Sequence, residues 1–147
     1  MATDFELAVF ERQMREVLEL PEAARWILER DDAVPLGIFA TMHPRSNPEE
    51  LFKARLRWDH LFKAPSLSFI DPTSGSDRIK GAWPTCFGFR PDSLDTCLPW
   101  TAEGHRHHPE WQHSATTRFP NVDAPLQFAL LNIQSSLDNS YAGRGGC

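Results

Sequence analysis

The sequence predicts an α+β domain in which a helix precedes an antiparallel meander and a second helix follows. Residues 4–19 carry apolar side chains at helical spacing, and so do the residues after Pro125. Between them, runs at residues 36–42, 51–58 and 66–70 have the length and residue types of strands. Since consecutive strands with short connections pair as a meander, this order of elements is typical of the α+β class.

The composition fits one compact domain and limits the classes of partner that the chain is expected to bind. The chain has 147 residues, of which 41% are hydrophobic, enough for an ordinary core. Its net charge of −5 argues against nucleic acid, since phosphate-binding proteins usually carry a basic patch. No apolar run approaches the ~18 residues of a membrane-spanning helix. The start MATDFELAVFERQ is acidic and amphipathic, unlike a signal peptide. We therefore expect a cytoplasmic protein that binds neither nucleic acid nor membrane.

The first predicted element is an amphipathic helix at about residues 4–19. Its apolar face comprises Phe5, Val9, Met14, Val17 and Leu18. Asp4 is the predicted N-cap, because Asp side chains accept hydrogen bonds from free amides at a helix start. Pro21 ends this helix or opens a new turn. The window 21–30 is compatible with a further helical stretch or with a first strand.

Residues 51–58 show the alternation of a half-buried strand. Phe52, Ala54, Leu56 and Trp58 lie on one predicted face, and Leu51, Lys53, Arg55 and Arg57 lie on the other. A turn at Phe62–Pro65 and a strand at residues 66–70 follow. Together with the run at residues 36–42, these strands make the predicted meander.

Residues 73–125 form a long loop that we expect to carry the active site, because such segments are commonly functional or disordered. Its aromatic side chains favour a packed segment; they are Trp83, Phe87, Phe89, Trp100, Trp111 and Phe119. The helix packed behind the loop places Leu126, Ala129, Leu130, Ile133 and Leu137 on one face. The glycine-rich tail, about 140–147, is predicted to be flexible.

The chain has three cysteines, Cys86, Cys97 and Cys147. An odd number of cysteines in a chain without an export signal argues against a disulfide framework. A free thiol with a chemical role is one interpretation, and a small buried hydrophobic side chain is the other. Cys97 is the strongest candidate for chemistry, since it follows the turn-like PDSLDT and precedes Leu98 and Pro99.

Three fragments in this order give the chain a family resemblance. They are the FKAP turn at Phe62–Pro65, the pair Cys97-Leu98, and the helix-like ALLNIQSSLDN. Residues 37–139 resemble the catalytic domain of ubiquitin-conjugating enzymes, in a minimal bacterial form. That family places a "PFKPP"-like turn after its meander, then a nucleophilic cysteine followed by leucine, then a helix reading "LLSIQSLL". The resemblance also favours a strand near residues 25–30.

The resemblance implies a function. Cys97 would accept a ubiquitin-like modifier from an adenylating, activating enzyme as a thioester and transfer it to a nucleophile on a target protein. A deconjugating protease would act in the same system, and the reaction needs no cofactor or metal. The N-terminal helix and the Phe62–Pro65 turn would dock the activating enzyme and ligases.

The chain departs from the family at the residues that assist the cysteine. The family's His-Pro-Asn motif is missing, Phe89 stands where its Asn is expected, and Trp83-Pro84-Thr85 comes too early. The oxyanion still needs a donor. Four histidines downstream of Cys97 are the predicted replacements: His105, His107, His108 and His113. Asp138 is the nearest match to the family's lysine-binding acid, but it falls early.

Other classes of function stay open on the sequence alone. One alternative is a non-catalytic binding module of the same fold. A second is a zinc site built from Cys86, Cys97 and the histidines, although their spacing fits no standard template. A third is a cysteine hydrolase that uses Cys97 with a His and an Asp. The terminal Arg144-Gly145-Gly146 is similar to the Gly-Gly end of ubiquitin-like modifiers, whose strand order the rest of the chain lacks.

Overall fold

The computed structural model describes residues 2–146 and confirms an α+β domain with an N-terminal helix and a four-stranded antiparallel sheet. The helices are α1 (Asp4–Glu16), α2 (Ala102–His107) and α3 (Pro125–Ser140). The strands are β1 (Ile27–Arg30), β2 (Gly37–Met42), β3 (Phe52–Arg57), β4 (Ser66–Ile70), β5 (Phe89–Arg90) and β6 (Asp95–Thr96). Short 3-10 turns occupy Val17–Glu19, Pro21–Arg25, Lys80–Ala82 and Pro109–His113.

Helix α1 begins at Asp4, but its N-cap is Thr3 and not the predicted Asp4. The Thr3 hydroxyl accepts from the Glu6 amide at 3.1 Å, and the Glu6 carboxylate accepts from the Thr3 amide at 3.0 Å. This reciprocal capping box satisfies two free amides, which leaves Asp4 inside the first turn. Glu6 also accepts from the buried Leu61 amide at 2.7 Å, and this bond holds the pKa of Glu6 below its usual value. The cap therefore also ties α1 to the turn after β3.

The sheet is the predicted meander preceded by the strand that the resemblance favours near residues 25–30. Its order is β1-β2-β3-β4, each strand antiparallel to the next. The window 21–30 resolves into a 3-10 turn followed by β1, and the predicted α1 helix becomes 3-10 at Val17. Leu56 pairs with Ile38 on one side and Leu67 on the other, so three fully buried side chains form a row across the sheet.

The two faces of β3 follow the predicted alternation. Phe52, Ala54 and Leu56 are buried, as is Trp58 just beyond the strand. The basic side chains on the other face each have an acidic partner: Lys53 with Glu29, Arg55 with Asp77 and Arg57 with Asp31. This face is therefore half-buried beneath ion pairs.

The core lies between the sheet and α3, and it extends into the long loop. The predicted face of α3 is confirmed, since Leu126, Ala129, Leu130, Ile133 and Leu137 are all fully buried. Phe69 of β4 contacts Trp83 and Phe89, with ring centroids 5.5 and 5.2 Å apart. Trp83, Phe89 and Trp100 are buried as predicted, whereas Phe87 is exposed. The loop is thus anchored to the core before and after Phe87.

Among residues 2–146, no helix combines the length and the apolar character that crossing a bilayer requires.

The structure differs from the prediction of a flexible tail at about 140–147. Helix α3 continues to Ser140, and the segment after Tyr141 is hydrogen-bonded to residues 83–85. Glycines led the sequence interpretation toward flexibility, but two of them have conformations or close contacts that only glycine permits. Cys147 lies outside the described residues.

Candidate active site

Cys97 directly follows a two-stranded hairpin, β5–β6. Phe89 pairs with Thr96 and Arg90 pairs with Asp95 across it. Because side chains alternate along a strand, Phe89 and Thr96 are buried against the core while Arg90 and Asp95 face outward. The Cys97 amide continues the ladder by donating to the Gly88 carbonyl at 2.7 Å. The hairpin thereby presents Cys97, which is partly exposed, at the surface.

The backbone on either side of Cys97 is held firmly. The buried Thr96 hydroxyl donates to the Leu67 carbonyl of β4 at 3.1 Å. The Thr101 hydroxyl accepts from the amides of Leu98, at 3.3 Å, and Gly104, at 3.0 Å. A Cβ atom on Gly104 would lie 2.1 Å from the Leu98 carbonyl, so only glycine allows α2 to pack this closely. Cys97 therefore lies between two buried, hydrogen-bonded residues.

The two cysteines that the structure describes differ in reactivity. Cys86 is buried, and burial raises the pKa of its thiol to about 12. Such a thiol holds almost no thiolate at neutral pH, and the thiolate is the nucleophile. Cys97 has the access to solvent that a reacting partner needs.

Arg90 neutralises the acidic residue nearest Cys97 along the chain. Its guanidinium donates two hydrogen bonds to Asp95, at 2.7 and 2.6 Å. These bonds hold the pKa of Asp95 below its usual value. They also raise the pKa of Arg90. Without this pair, the negative charge of Asp95 would disfavour a thiolate at Cys97. Arg90 was missed from the sequence alone, although Arg90 and Asp95 bracket the hairpin turn.

We expect Arg90→Gln to slow alkylation of Cys97 by iodoacetamide at neutral pH, roughly threefold to tenfold. The substitution removes the cation that is paired with Asp95, two residues before Cys97, and loss of a nearby positive charge disfavours a thiolate. Mass mapping of the labelled cysteines over time gives the rate. Arg12→Gln is the matched control, since Arg12 forms an exposed ion pair with Glu16 on α1. Equal rates in the two variants would contradict the role of Arg90.

The structure brings two of the four predicted histidines to the neighbours of Cys97. The Nε2 atom of His107 lies 3.1 Å from the Asp95 carboxylate, two residues before Cys97. The Nε2 atom of His105 lies 2.5 Å from the Pro99 carbonyl oxygen, two residues after it. These two histidines are the better-placed candidates.

The other two histidines belong to the turn beyond α2. His108 stacks on Trp111, with ring centroids 4.2 Å apart, and lies 3.2 Å from the Glu110 carboxylate. His113 ends the 3-10 turn Pro109–His113 and is exposed. In the described part of the chain, His105 and His107 each make a polar contact with a residue two positions from Cys97, and neither His108 nor His113 does.

Helix α2 carries His105 and His107 and is tied to the sheet by Glu103. The Glu103 carboxylate accepts from the Leu67 amide at 3.1 Å and from the Ser66 hydroxyl. Both partners belong to β4, the strand that also binds Thr96. Hydrogen bonds to β4 therefore position both the segment that carries Cys97 and the helix that carries His105 and His107.

Two other residues suggested by the family resemblance are engaged elsewhere. The Thr85 amide donates to the Gly143 carbonyl at 2.8 Å, so it is not free to stabilise an oxyanion. The Asp138 side chain is nearly buried and accepts from Arg25 at 3.1 Å and Gln134 at 2.9 Å. Burial raises the pKa of Asp138, but its hydrogen bonds with Arg25 and Gln134 outweigh this and lower it overall. Asp138 thus fastens α3 to the turns around it.

Within residues 2–146, no three His, Cys, Asp or Glu side chains converge as a metal site. The zinc alternative therefore has no set of ligands in this region.

A groove near the site lies between the Phe62–Pro65 turn and α2. Its volume is about 530 Å³, and its walls include Lys63, Ala64, His105 and Phe119. Cys97 does not line it.

Comparison of the chain with protein-family models, with curated proteins and with solved structures finds no match in any of the three. The resemblance to ubiquitin-conjugating enzymes therefore stays a prediction.

Proposed function

We propose that this chain is a ubiquitin-like protein conjugating enzyme of the bacterial type, with Cys97 as the residue that carries the modifier. The observation that supports this most is the setting of Cys97. It is a partly exposed thiol directly after the β5–β6 hairpin, which follows α1 and a four-stranded meander and precedes α3 in the chain. This is the order of elements that the family resemblance implies.

The proposed reaction exchanges groups at one carbonyl carbon. The Cys97 thiolate attacks the thioester between the modifier and the activating enzyme, and the carbon–sulfur bond to that enzyme breaks as its thiolate leaves. A nucleophile on the target then attacks the new thioester, loses its proton to a base, and expels the Cys97 thiolate. No electrons are gained or lost by the protein in either step.

Two exposed aromatic side chains support a docking surface for the activating enzyme and for ligases. Phe5 on α1 is 69% exposed, and Phe62 in the turn before β4 is 38% exposed. Glu6, on α1, binds the backbone of Leu61 beside that turn, so both aromatic residues lie on one fixed unit. Aromatic side chains are common anchors of protein interfaces.

We propose that His107 or His105 supplies the donor that the missing Asn would provide. Replacing the responsible histidine with alanine should leave thioester formation largely intact and slow discharge to an amine about 10²–10³-fold, as loss of an oxyanion donor does. Thioester formation suffers less because it depends mainly on the thiolate and on access. Single-turnover discharge of the purified thioester measures the effect.

His108→Ala and His113→Ala serve as matched controls, because these histidines lie beyond α2. They are expected to discharge at the parent rate. If all four alanine variants discharge as fast as the parent, the donor is not a histidine.

A cysteine hydrolase is the second candidate, and one observation favours it. Asp95 and His107 form an acid–imidazole pair at 3.1 Å near Cys97, the arrangement that activates nucleophilic cysteines in hydrolases. The two functions differ in the product. A conjugating enzyme keeps its thioester until an amine is added, whereas a hydrolase releases the free modifier into water. A non-catalytic module would form no thioester at all.

The partners of the proposed reaction are a ubiquitin-like modifier, its activating enzyme, a target protein and, in the same system, a deconjugating protease. Genes for an adenylating enzyme and a small protein ending in glycine beside this one would support the proposal directly.

A further inference from the structure

The last residues of the described chain run antiparallel along Trp83-Pro84-Thr85, with a bridge between Arg144 and Pro84. The Ala142 amide donates to the Thr85 carbonyl at 2.8 Å, and the Thr85 amide donates to Gly143 at 2.8 Å. The Gly145 amide donates to the Trp83 carbonyl at 2.7 Å. Added strands of this kind bind through main-chain hydrogen bonds, and side chains determine their selectivity.

The guanidinium of Arg144 is held on its edges and on one face. It donates to the Glu50 carboxylate at 2.9 Å, to the Gly81 carbonyl at 2.8 Å and to the Leu51 carbonyl at 3.1 Å. Its central carbon lies 4.2 Å from the centroid of the Phe52 ring. The guanidinium of arginine is planar, carries several donors and stacks on aromatic rings. A site that places acceptors around its edge and a ring against its face therefore selects arginine over lysine.

The position after the arginine accepts only glycine. A Cβ atom on Gly145 would lie 2.0 Å from the Lys80 carbonyl oxygen and 2.7 Å from Pro91. A Cβ atom on Gly146 would meet nothing within 4 Å. The cleft therefore distinguishes two adjacent glycines, which makes them a matched pair for an experiment.

We propose that residues 50–52 and 80–85 form a recognition site for an extended peptide segment in which glycine follows arginine. The chain's own C-terminal segment, residues 142–146, occupies the site. Separate contacts recognise the two residues of the Arg-Gly motif. The hydrogen-bond acceptors and the Phe52 ring bind the arginine, and the nearby Lys80 carbonyl leaves room only for a glycine after it. The inference does not depend on the reaction proposed for Cys97.

Occupation of the site also holds Thr85, the residue directly before Cys86, through its main-chain hydrogen bonds with Ala142 and Gly143. Ser140, at the end of α3, accepts from the amide of Phe87, the residue directly after Cys86, at 3.1 Å. The next residue, Gly88, accepts from the Cys97 amide. Release of the tail is therefore expected to loosen residues 83–87 and expose Cys86.

Gly145→Ala, in the full-length chain, is expected to accelerate hydrogen exchange at Thr85 and alkylation of Cys86 by about tenfold or more. Loss of one or two main-chain hydrogen bonds corresponds to a change of this size. Mass mapping resolves each cysteine. Gly146→Ala should match the parent. Unchanged hydrogen exchange at Thr85 in Gly145→Ala would overturn the proposal. Equal acceleration of exchange at Leu56 in β3 would also overturn it, because the substitution would then destabilise the whole fold and not only the docked tail.

The recognition claim is tested in trans with the peptide acetyl-YAGRGG. Added at millimolar concentration to the Gly145→Ala protein, it should return Thr85 exchange and Cys86 alkylation toward the parent values, since the variant tail competes poorly. Peptides with lysine in place of arginine, or alanine in place of the next glycine, should have no effect. If no peptide protects, or if all three protect equally, the site does not recognise Arg-Gly and the proposal fails.

Discussion

Replacement of Cys97 by alanine is expected to abolish the thiol-sensitive adduct between this chain and its modifier. The adduct should form when the parent protein is incubated with the activating enzyme, the modifier and ATP, and it should vanish when a reducing thiol is added. The reason is that the modifier's terminal carbonyl can be held only by a thiolate that a second protein can reach. Among the cysteines that the structure describes, Cys97 alone combines partial exposure with a surface position. A non-reducing gel measures the adduct.

Cys86→Ala and Cys147→Ala are the controls for this result, and both should keep the adduct. Burial raises the pKa of the Cys86 thiol to about 12, so Cys86 is a poor nucleophile as long as the tail stays docked. An adduct that persists in Cys97→Ala and disappears in Cys86→Ala would show that the assignment is wrong. Circular dichroism spectra that match the parent would exclude misfolding as the cause of a lost adduct.

The regular elements could be predicted because local patterns determine them. The alternation around Leu56 and the helical face around Ile133 each depend on one buried surface, and the structure confirms both. The N-cap was wrong by one residue because Thr3 and Asp4 are both good caps. The choice between them depends on Glu6, whose carboxylate completes the box from inside the helix.

The features that could not be predicted depend on contacts between distant residues. Arg144 binds Glu50, and Thr85 binds Gly143, across long stretches of chain that no local pattern connects. A glycine-rich tail therefore indicated flexibility where the structure has a segment hydrogen-bonded to residues 83–85. Arg90 and Asp95 are closer in sequence, but their pairing follows only from the register of the β5–β6 hairpin. Cys97 was singled out from the order of its flanking motifs, whereas the sorting of its histidines required the position of α2.

Leu56→Ala is expected to lower the free energy of unfolding by about 2–5 kcal/mol, as truncation of a buried leucine does. Leu56 is fully buried at the centre of the sheet, between Ile38 and Leu67. The truncation removes favourable burial and leaves a cavity that the two neighbouring strands restrict from collapsing. Chemical denaturation with linear extrapolation measures the difference.

Two variants on neighbouring positions test whether this cost comes from the predicted strand register. Leu51→Ala makes the same chemical change at a side chain that is 51% exposed, so it should cost about 1 kcal/mol or less. Arg55→Ala lies on the opposite face of β3 and breaks the ion pair with Asp77, which is worth about 0–1 kcal/mol at such a site. If Leu56→Ala cost no more than these two, Leu56 would not face the core. In that case the register that also positions β4, Thr96 and hence Cys97 would be wrong.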